Sequence, residues 1–153
     1  MALAWNKVLC PIDFSEPARA ALKVAAELCA QFGAELTLFH AYELPGYTLP
    51  EGSVVASPKM LQELADLAAA HLAEWKKLAE ELGAPRVRTE QAIGAPALEI
   101  VDLARQGRYD LIIVGTHGRT GLRHALVGSV AERVVRRAAC PVLTVHPQGW
   151  ERG

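Results

Sequence analysis

Residues 111–131 read LIIVGTHGRTGLRHALVGSVA. An apolar run meets Gly115, Gly118 and Gly121 follow closely, and Gly128-Ser129 precedes another periodic stretch. Glycine lets a backbone approach a ligand and take positive φ without steric cost. A helix N-terminus carries unpaired N–H groups and partial positive charge, which suits an anion such as phosphate. Strand, glycine loop and helix in that order outline a phosphate cradle. Each part also has a structural explanation. Gly115 can be a strand-end turn, Gly118 and Gly121 loop residues, and Gly128-Ser129 an N-cap pair.

A second candidate group stands where the first apolar run ends, in Pro11-Ile12-Asp13-Phe14-Ser15. A carboxylate there can accept a hydrogen bond from a ribose hydroxyl or an adenine amine, or help place a metal. It can equally cap the helix that follows. Within the loop, His117 can approach a phosphate, act as a base or fix the turn. Arg119, Arg123 and His124 can neutralise a triphosphate, because the arginine fork matches phosphate oxygens. They read equally well as exposed loop charges. His40 reads as a satisfied structural histidine, and no metal-ligand spacing joins it to His71, His117, His124 or His146.

These groups are positioned by alternating strand and helix patterns. Lys7–Ile12 is a short apolar strand. Ser15 is a cap, and Glu16 and Pro17 suit a first turn. The helix to Phe32 buries Ala21, Leu22, Ala25, Leu28 and Cys29, and Gly33 ends it. Glu35–Tyr42 is the second strand. The segment 45–58 reads as a long loop, either mobile or functional. Ser57 opens a long helix whose stripe of Leu61, Leu64, Ala68, Leu72, Trp75, Ala79 and Leu82 faces a core, and Gly83 stops it. Glu63, Asp66, Glu74, Lys77 and Glu81 form its solvated face. Then come a strand over Arg86–Ala92, a helix over Ala95–Gln106, a strand over Asp110–Gly115, a helix over Val130–Ala138 and a strand over Val142–His146. That alternation predicts an α/β fold: one doubly wound, open, parallel five-stranded sheet with helices on both faces. Ligands on such sheets bind at the carboxyl ends of strands, where strand order reverses. Both candidate groups fall on that edge. The expected domain spans 1–147, with 148–153 a loose tail.

The chain has 153 residues, half of them apolar, and a net charge of −1. That is enough for a substantial core, and no global field favours nucleic acid or an anionic membrane. No apolar run approaches the ~18 residues of a membrane span. MALAWNKVLC places Lys7 inside its apolar stretch, unlike a signal peptide. Cys10, Cys29 and Cys140 lie far apart among apolar neighbours, and no C-x-x-C occurs. They read as buried free thiols of a reducing compartment, so a cytoplasmic location is expected.

Other nucleotide folds fail on missing residues. There is no G-x-x-x-x-G-K-[ST], and PIDFSE follows the first strand where a dinucleotide fold has G-x-G-x-x-G. The S-G-G-x-D-S loop of adenylylating pyrophosphatases is absent. A phospho-receiver domain needs an acidic cluster at strand one, an Asp ending strand three and a Lys ending strand five. Here Asp13 is alone, strand three ends Glu90-Gln91-Ala92 and strand five ends Val145-His146.

The spacing G-x-x-G-x9-G-S directly after Leu111-Ile112-Ile113-Val114 resembles the signature of the ATP-binding branch of the universal stress protein family. V-L-x-P-x-D-x-S before an alanine-rich helix resembles that family's first strand and helix. Leu38-Phe39-His40-Ala41 resembles its second strand. Gly94-Ala95-Pro96 stands where the family has G-x-P, and Cys140-Pro141-Val142-Leu143-Thr144-Val145 resembles its P-V-L-x-V ending. The likeness covers residues 5 to 146 apart from the 45–58 loop.

The resemblance implies strand order 3-2-1-4-5 (a Rossmann-like sheet) and a nucleotide across strands one and four. Pro11, Ile12, Asp13 and Ala41 would surround adenine and ribose. Gly115, Thr116, His117, Gly118 and Arg119 would approach ribose and phosphates. Gly128, Ser129, Val130 and Ala131 would offer backbone N–H groups, with the Ser129 hydroxyl. Ala131 departs from the commoner polar residue, which removes at most one hydroxyl contact of about 0.5–1.5 kcal/mol. The implied ligand is ATP, with Mg2+ an optional companion. The implied assembly is a homodimer through the last strand, whose apolar edge needs cover, with an unidentified regulatory protein as a further partner.

Three functional classes follow: an ATP-binding stress regulator, a nucleotide-independent interaction module of the same fold, and a slow ATPase. The complete glycine signature favours the first over the second. The third lacks a loop Lys and a carboxylate placed to activate water. Slow hydrolysis by electrostatics alone stays open.

Overall fold

The computed structural model describes residues 3–44, 48–49, 52–53, 56–116 and 128–147. β1 (Lys7–Pro11) leads into α1 (Glu16–Phe32) through a side-chain cap. Ser15 is extended, and its Oγ accepts the Ala18 N–H at 3.3 Å. Pro17 fits the first turn, where its missing N–H has no intrahelical partner to lose. At the other end Gly33 turns left-handed, with φ 68°. β2 (Glu35–Tyr42) follows. The 45–58 segment, expected as loop throughout, contains a small antiparallel pair, β3 (Thr48–Leu49) and β4 (Gly52–Ser53).

α2 (Pro58–Glu81) is capped by Ser57, whose Oγ accepts the Met60 N–H at 3.2 Å. Its stripe faces inward as its spacing requires. Ala68, Leu72, Trp75 and Ala79 are buried, while Leu61, Leu64 and Leu82 are half-buried at the margin. The five acidic and basic residues of the opposite face are all exposed. β5 (Arg86–Ile93), α3 (Pro96–Gln106), β6 (Leu111–Gly115), α4 (Ser129–Arg137) and β7 (Val142–Val145) complete the chain. Element ends differ from the sequence expectation by a residue or two, the usual fraying of boundaries.

The five long strands form one parallel sheet in the order β5-β2-β1-β6-β7, which in order along the chain is 3-2-1-4-5. Neighbouring side chains on each strand point to opposite faces. Val8, Cys10, Leu36 and Leu38 therefore join α1 and α2 in one core, and Leu9, Phe39, Ile112 and Val114 join α3 and α4 in the other. Near-continuous apolar strands are what a sheet covered on both faces demands.

Side chains tie the amino edge of the sheet together. Asp110 Oδ2 accepts the N–H groups of Asn6 and Lys7 at 2.9 and 2.8 Å. Lys7 Nζ donates to the Gly107 carbonyl at 2.8 Å and lies 4.4 Å from the centre of the Tyr109 ring. Tyr109 in turn shares a buried hydrogen bond with Thr37 Oγ1 at 2.9 Å.

Cys10 and Cys29 are buried free thiols, while Cys140 is only half-buried. Among the described residues no helix is long and apolar enough to cross a membrane. The expected tail, 148–153, lies outside the described residues.

Candidate functional site

The order of strands reverses between β1 and β6. Their paired register covers Val8↔Leu111 and Leu9↔Ile112. Beyond it, Cys10 and Pro11 pair with Leu38 and Phe39 of β2, while Ile113, Val114 and Gly115 pair with Leu143, Thr144 and Val145 of β7. The two central strands thus turn to opposite partners at their carboxyl ends. A crevice outside that point is where open α/β sheets take ligands.

Asp13 stands at the β1 side of this edge. Its Oδ1 accepts the Ser15 N–H at 3.0 Å and also the Ser15 hydroxyl. The capping reading of this carboxylate is therefore correct, and it uses one oxygen. Oδ2 has no hydrogen-bond partner among the described residues, so the same side chain retains an acceptor for a ligand donor.

Phe14 holds that arrangement. Its φ is 64°, a left-handed backbone that costs a side chain roughly 1–2 kcal/mol. Aromatic packing offsets the cost: the Phe14 ring lies 4.7 Å from His40, 5.1 Å from His71 and 5.5 Å from Trp75. His40 Nδ1 meets the Ile12 carbonyl at 2.7 Å, so it donates, and His40 is a satisfied structural histidine. Ile12 itself is 3% exposed within the α1–α2 core, and its N–H donates to the Phe39 carbonyl at 2.7 Å. Ile12 therefore shapes the site through its neighbours. Ala41 packs half-buried on the α3–α4 side of the sheet, and Pro11 ends β1 at the crevice.

On the β6 side, Gly115 has a packing reason. A Cβ there would stand 2.7 Å from the Pro17 carbonyl oxygen, so only glycine lets the first turn of α1 come this close. Thr116 is fully buried. Its N–H donates to the Val145 carbonyl at 3.1 Å, its hydroxyl meets His146 Nδ1 at 3.2 Å, and its carbonyl accepts the Gly128 N–H. That last bond sets the foot of α4 against the carboxyl end of β6. His117, Gly118 and Arg119, with Gly121, Arg123 and His124, lie outside the described residues.

α4 presents an open N-terminus. Gly128 is its N-cap, with φ −66° and ψ 159° and no capping side chain. The first intrahelical bond runs from Glu132 N–H to the Gly128 carbonyl at 2.9 Å. The N–H groups of Ser129, Val130 and Ala131 meet no acceptor among the described residues. The Ser129 and Val130 side chains are exposed, whereas the Ala131 methyl is buried in the core. Of the four backbone donors expected here, the Gly128 N–H is committed to Thr116 and three remain. Three aligned donors at the positive end of a helix dipole suit an anion. Among the described residues no cluster of three or more His, Cys, Asp or Glu side chains can hold a metal ion.

Residues 4–146 match the model of the universal stress protein family. The chain belongs to the universal stress protein family. Universal stress protein MJ0531 of Methanocaldococcus jannaschii is 41% identical over 143 residues, covering 92% of this chain and 82% of that protein. Universal stress protein MJ0577 of the same organism is 32% identical, and its solved structure superposes with a TM-score of 0.80 over 95% of this chain and 98% of that one. A universal stress protein solved in complex with cAMP is 28% identical, with a TM-score of 0.70 over 95% of this chain and 99% of that one. The universal stress protein match takes in both sides of the crevice and the whole 115–131 signature.

Two features of this universal stress protein site were not foreseen in its sequence. One is the left-handed Phe14 with its ring cluster. The signal available was His71 and Trp75 four residues apart on α2, a spacing that places both on one face. The other is the contact of the Thr116 hydroxyl with His146, two residues that are distant in sequence and meet because β6 and β7 pair.

Proposed function

We propose that this chain binds an adenine nucleotide, ATP with Mg2+ able to accompany it, across the carboxyl ends of β1 and β6. The observation that carries the reading is the N-terminus of α4, with three N–H donors that meet no acceptor among the described residues, held against the end of β6. Asp13 Oδ2 supplies an acceptor for ribose on the facing strand. The family resemblance of the 115–131 signature and the cAMP complex of a 28%-identical relative support the same ligand class. In this reading Pro11, Ile12, Asp13 and Ala41 enclose adenine and ribose. Residues 115–119 approach ribose and phosphates, and residues 128–131 hold the phosphates.

The bound nucleotide biases a cytoplasmic homodimer formed along β7 and, through it, the choice of a regulatory protein partner. Among the described residues β7 pairs with β6 alone, and Leu143 on it is 39% exposed. A rival reading, a nucleotide-independent interaction module, is favoured by Gly115 packing on Pro17, which gives one signature glycine structural work.

One experiment separates the readings. Nucleotide released from the purified protein is identified by mass, and ATP and GTP are titrated calorimetrically with and without Mg2+. ATP binds more tightly, because guanine presents the opposite donor–acceptor pattern at the six position. Equal affinity for the two purines, or no binding of either, overturns the adenine site.

A further inference from the structure

We propose that Thr116 and His146 are positioning residues for the phosphate cradle, a hydrogen-bonded tether through which the end of β7 sets the N-terminus of α4. The inference rests on the nucleotide reading above for its functional meaning, while its geometry stands apart from it. Thr116 directs three groups to two different elements. The N–H and the hydroxyl go to Val145 and His146 at the end of β7, and the carbonyl receives Gly128 at the foot of α4. The peptide plane that carries the Thr116 carbonyl turns with the backbone of Thr116. Anchoring its N–H and its side chain therefore fixes where the carbonyl points, and with it where Gly128 and the first turn of α4 stand.

The burial pattern fits a tether more than a simple core contact. Thr116 is fully buried, and the imidazole that meets its hydroxyl belongs to an exposed residue. A hydroxyl placed in a core needs a partner, since an unmet buried polar group is costly. One of its partners is a side chain beyond the last strand, contributed by the element at the edge of the sheet. A shift of β7, including one caused by something docking on its edge, is carried through Thr116 to the donors of Ser129, Val130 and Ala131.

The test uses His146→Ala and His146→Asn, both at an exposed position. Amide hydrogen exchange of Gly128 is measured in the nucleotide-free protein, and ATP and adenosine affinities are measured by calorimetry. His146→Ala speeds exchange at Gly128 and weakens ATP by about three- to tenfold, the loss of one hydrogen bond's worth of positioning. Adenosine, which lacks phosphates, binds unchanged. His146→Asn places a polar atom near the position of Nδ1 and restores both readouts. Unchanged Gly128 protection in His146→Ala overturns the tether, as does an equal loss of ATP and adenosine affinity. A wild-type protein that binds no ATP defeats the nucleotide reading, and the exchange measurement then decides the tether alone.

Discussion

Gly115 and Pro17 touch backbone to backbone: the Pro17 carbonyl oxygen lies 2.7 Å, and its Cβ 3.0 Å, from where a Cβ on Gly115 would stand. The end of β6 and the first turn of α1 are therefore in contact beside the crevice, with no room for a methyl group. Gly115→Ala forces the two elements apart. Overpacking of this kind costs about 1–3 kcal/mol, and each kcal/mol lowers Tm by about 2–4 °C in a chain of this size. A thermal melt of the variant checks it, and an unchanged Tm would show that α1 yields freely at this point.

Gly128 is the opposite case. Its φ of −66° is open to any residue, so no backbone strain reserves the position for glycine. Gly128→Glu is expected to leave Tm nearly unchanged while blocking phosphate by bulk and like charge. Charge-assisted hydrogen bonds contribute about 1.5–3 kcal/mol each, so losing several weakens ATP by at least about a hundredfold. The measurement is a melt paired with an ATP titration. A destabilised variant with near-normal affinity would sink the phosphate cradle.

Leu143 tests the dimer. An apolar edge strand is a liability that proteins usually cover, and Leu143 is the exposed large apolar residue of β7. Leu143→Lys is expected to give monomers by light scattering. Val145 is unsuitable for the same purpose, because it is 6% exposed and packs in the core with Leu22 and Ile113. A wild-type monomer at micromolar concentration falsifies the assembly outright.

The thiols predict an alkaline limit to stability. Burial raises both core thiols from the ordinary 9.0, Cys29 to about 12 and Cys10, with Cys29 nearby, further still. A folded-state pKa raised above the unfolded one favours folding in full below the unfolded value. The contribution is lost as pH climbs from 9.0 toward about 12, because the unfolded chain releases protons that the folded one keeps. The denaturant midpoint therefore falls above pH 9.0. A disulfide thiol reagent reacts first with half-buried Cys140 and reaches Cys10 and Cys29 only on unfolding. Fast labelling of all three in the native protein would contradict the buried placement.

Much of this molecule was legible in its sequence, for physical reasons local to each segment. Ser15 and Ser57 cap helices because a short hydroxyl reaches the N–H three residues on. The stripe from Leu61 to Leu82 has helical period, and apolar runs bounded by turn residues make strands of a sheet covered on both faces. Alternation of the two, with handed crossovers, leaves few topologies. The edge that carries Asp13 and Gly115 followed from that.

Only the tertiary structure decided what each site residue does. Asp13 caps with one oxygen and keeps the other. Ile12 faces the core, Gly115 makes room for Pro17, and the Gly128 N–H belongs to Thr116. Phe14 takes a left-handed backbone because three rings from β2 and α2 receive its side chain. Thr116 meets His146 across thirty positions of sequence. A residue's period and its neighbours in sequence reveal which element it joins. Which atom of another element lies within 3 Å of it depends on how the packed layers settle against one another, and no local pattern carries that distance.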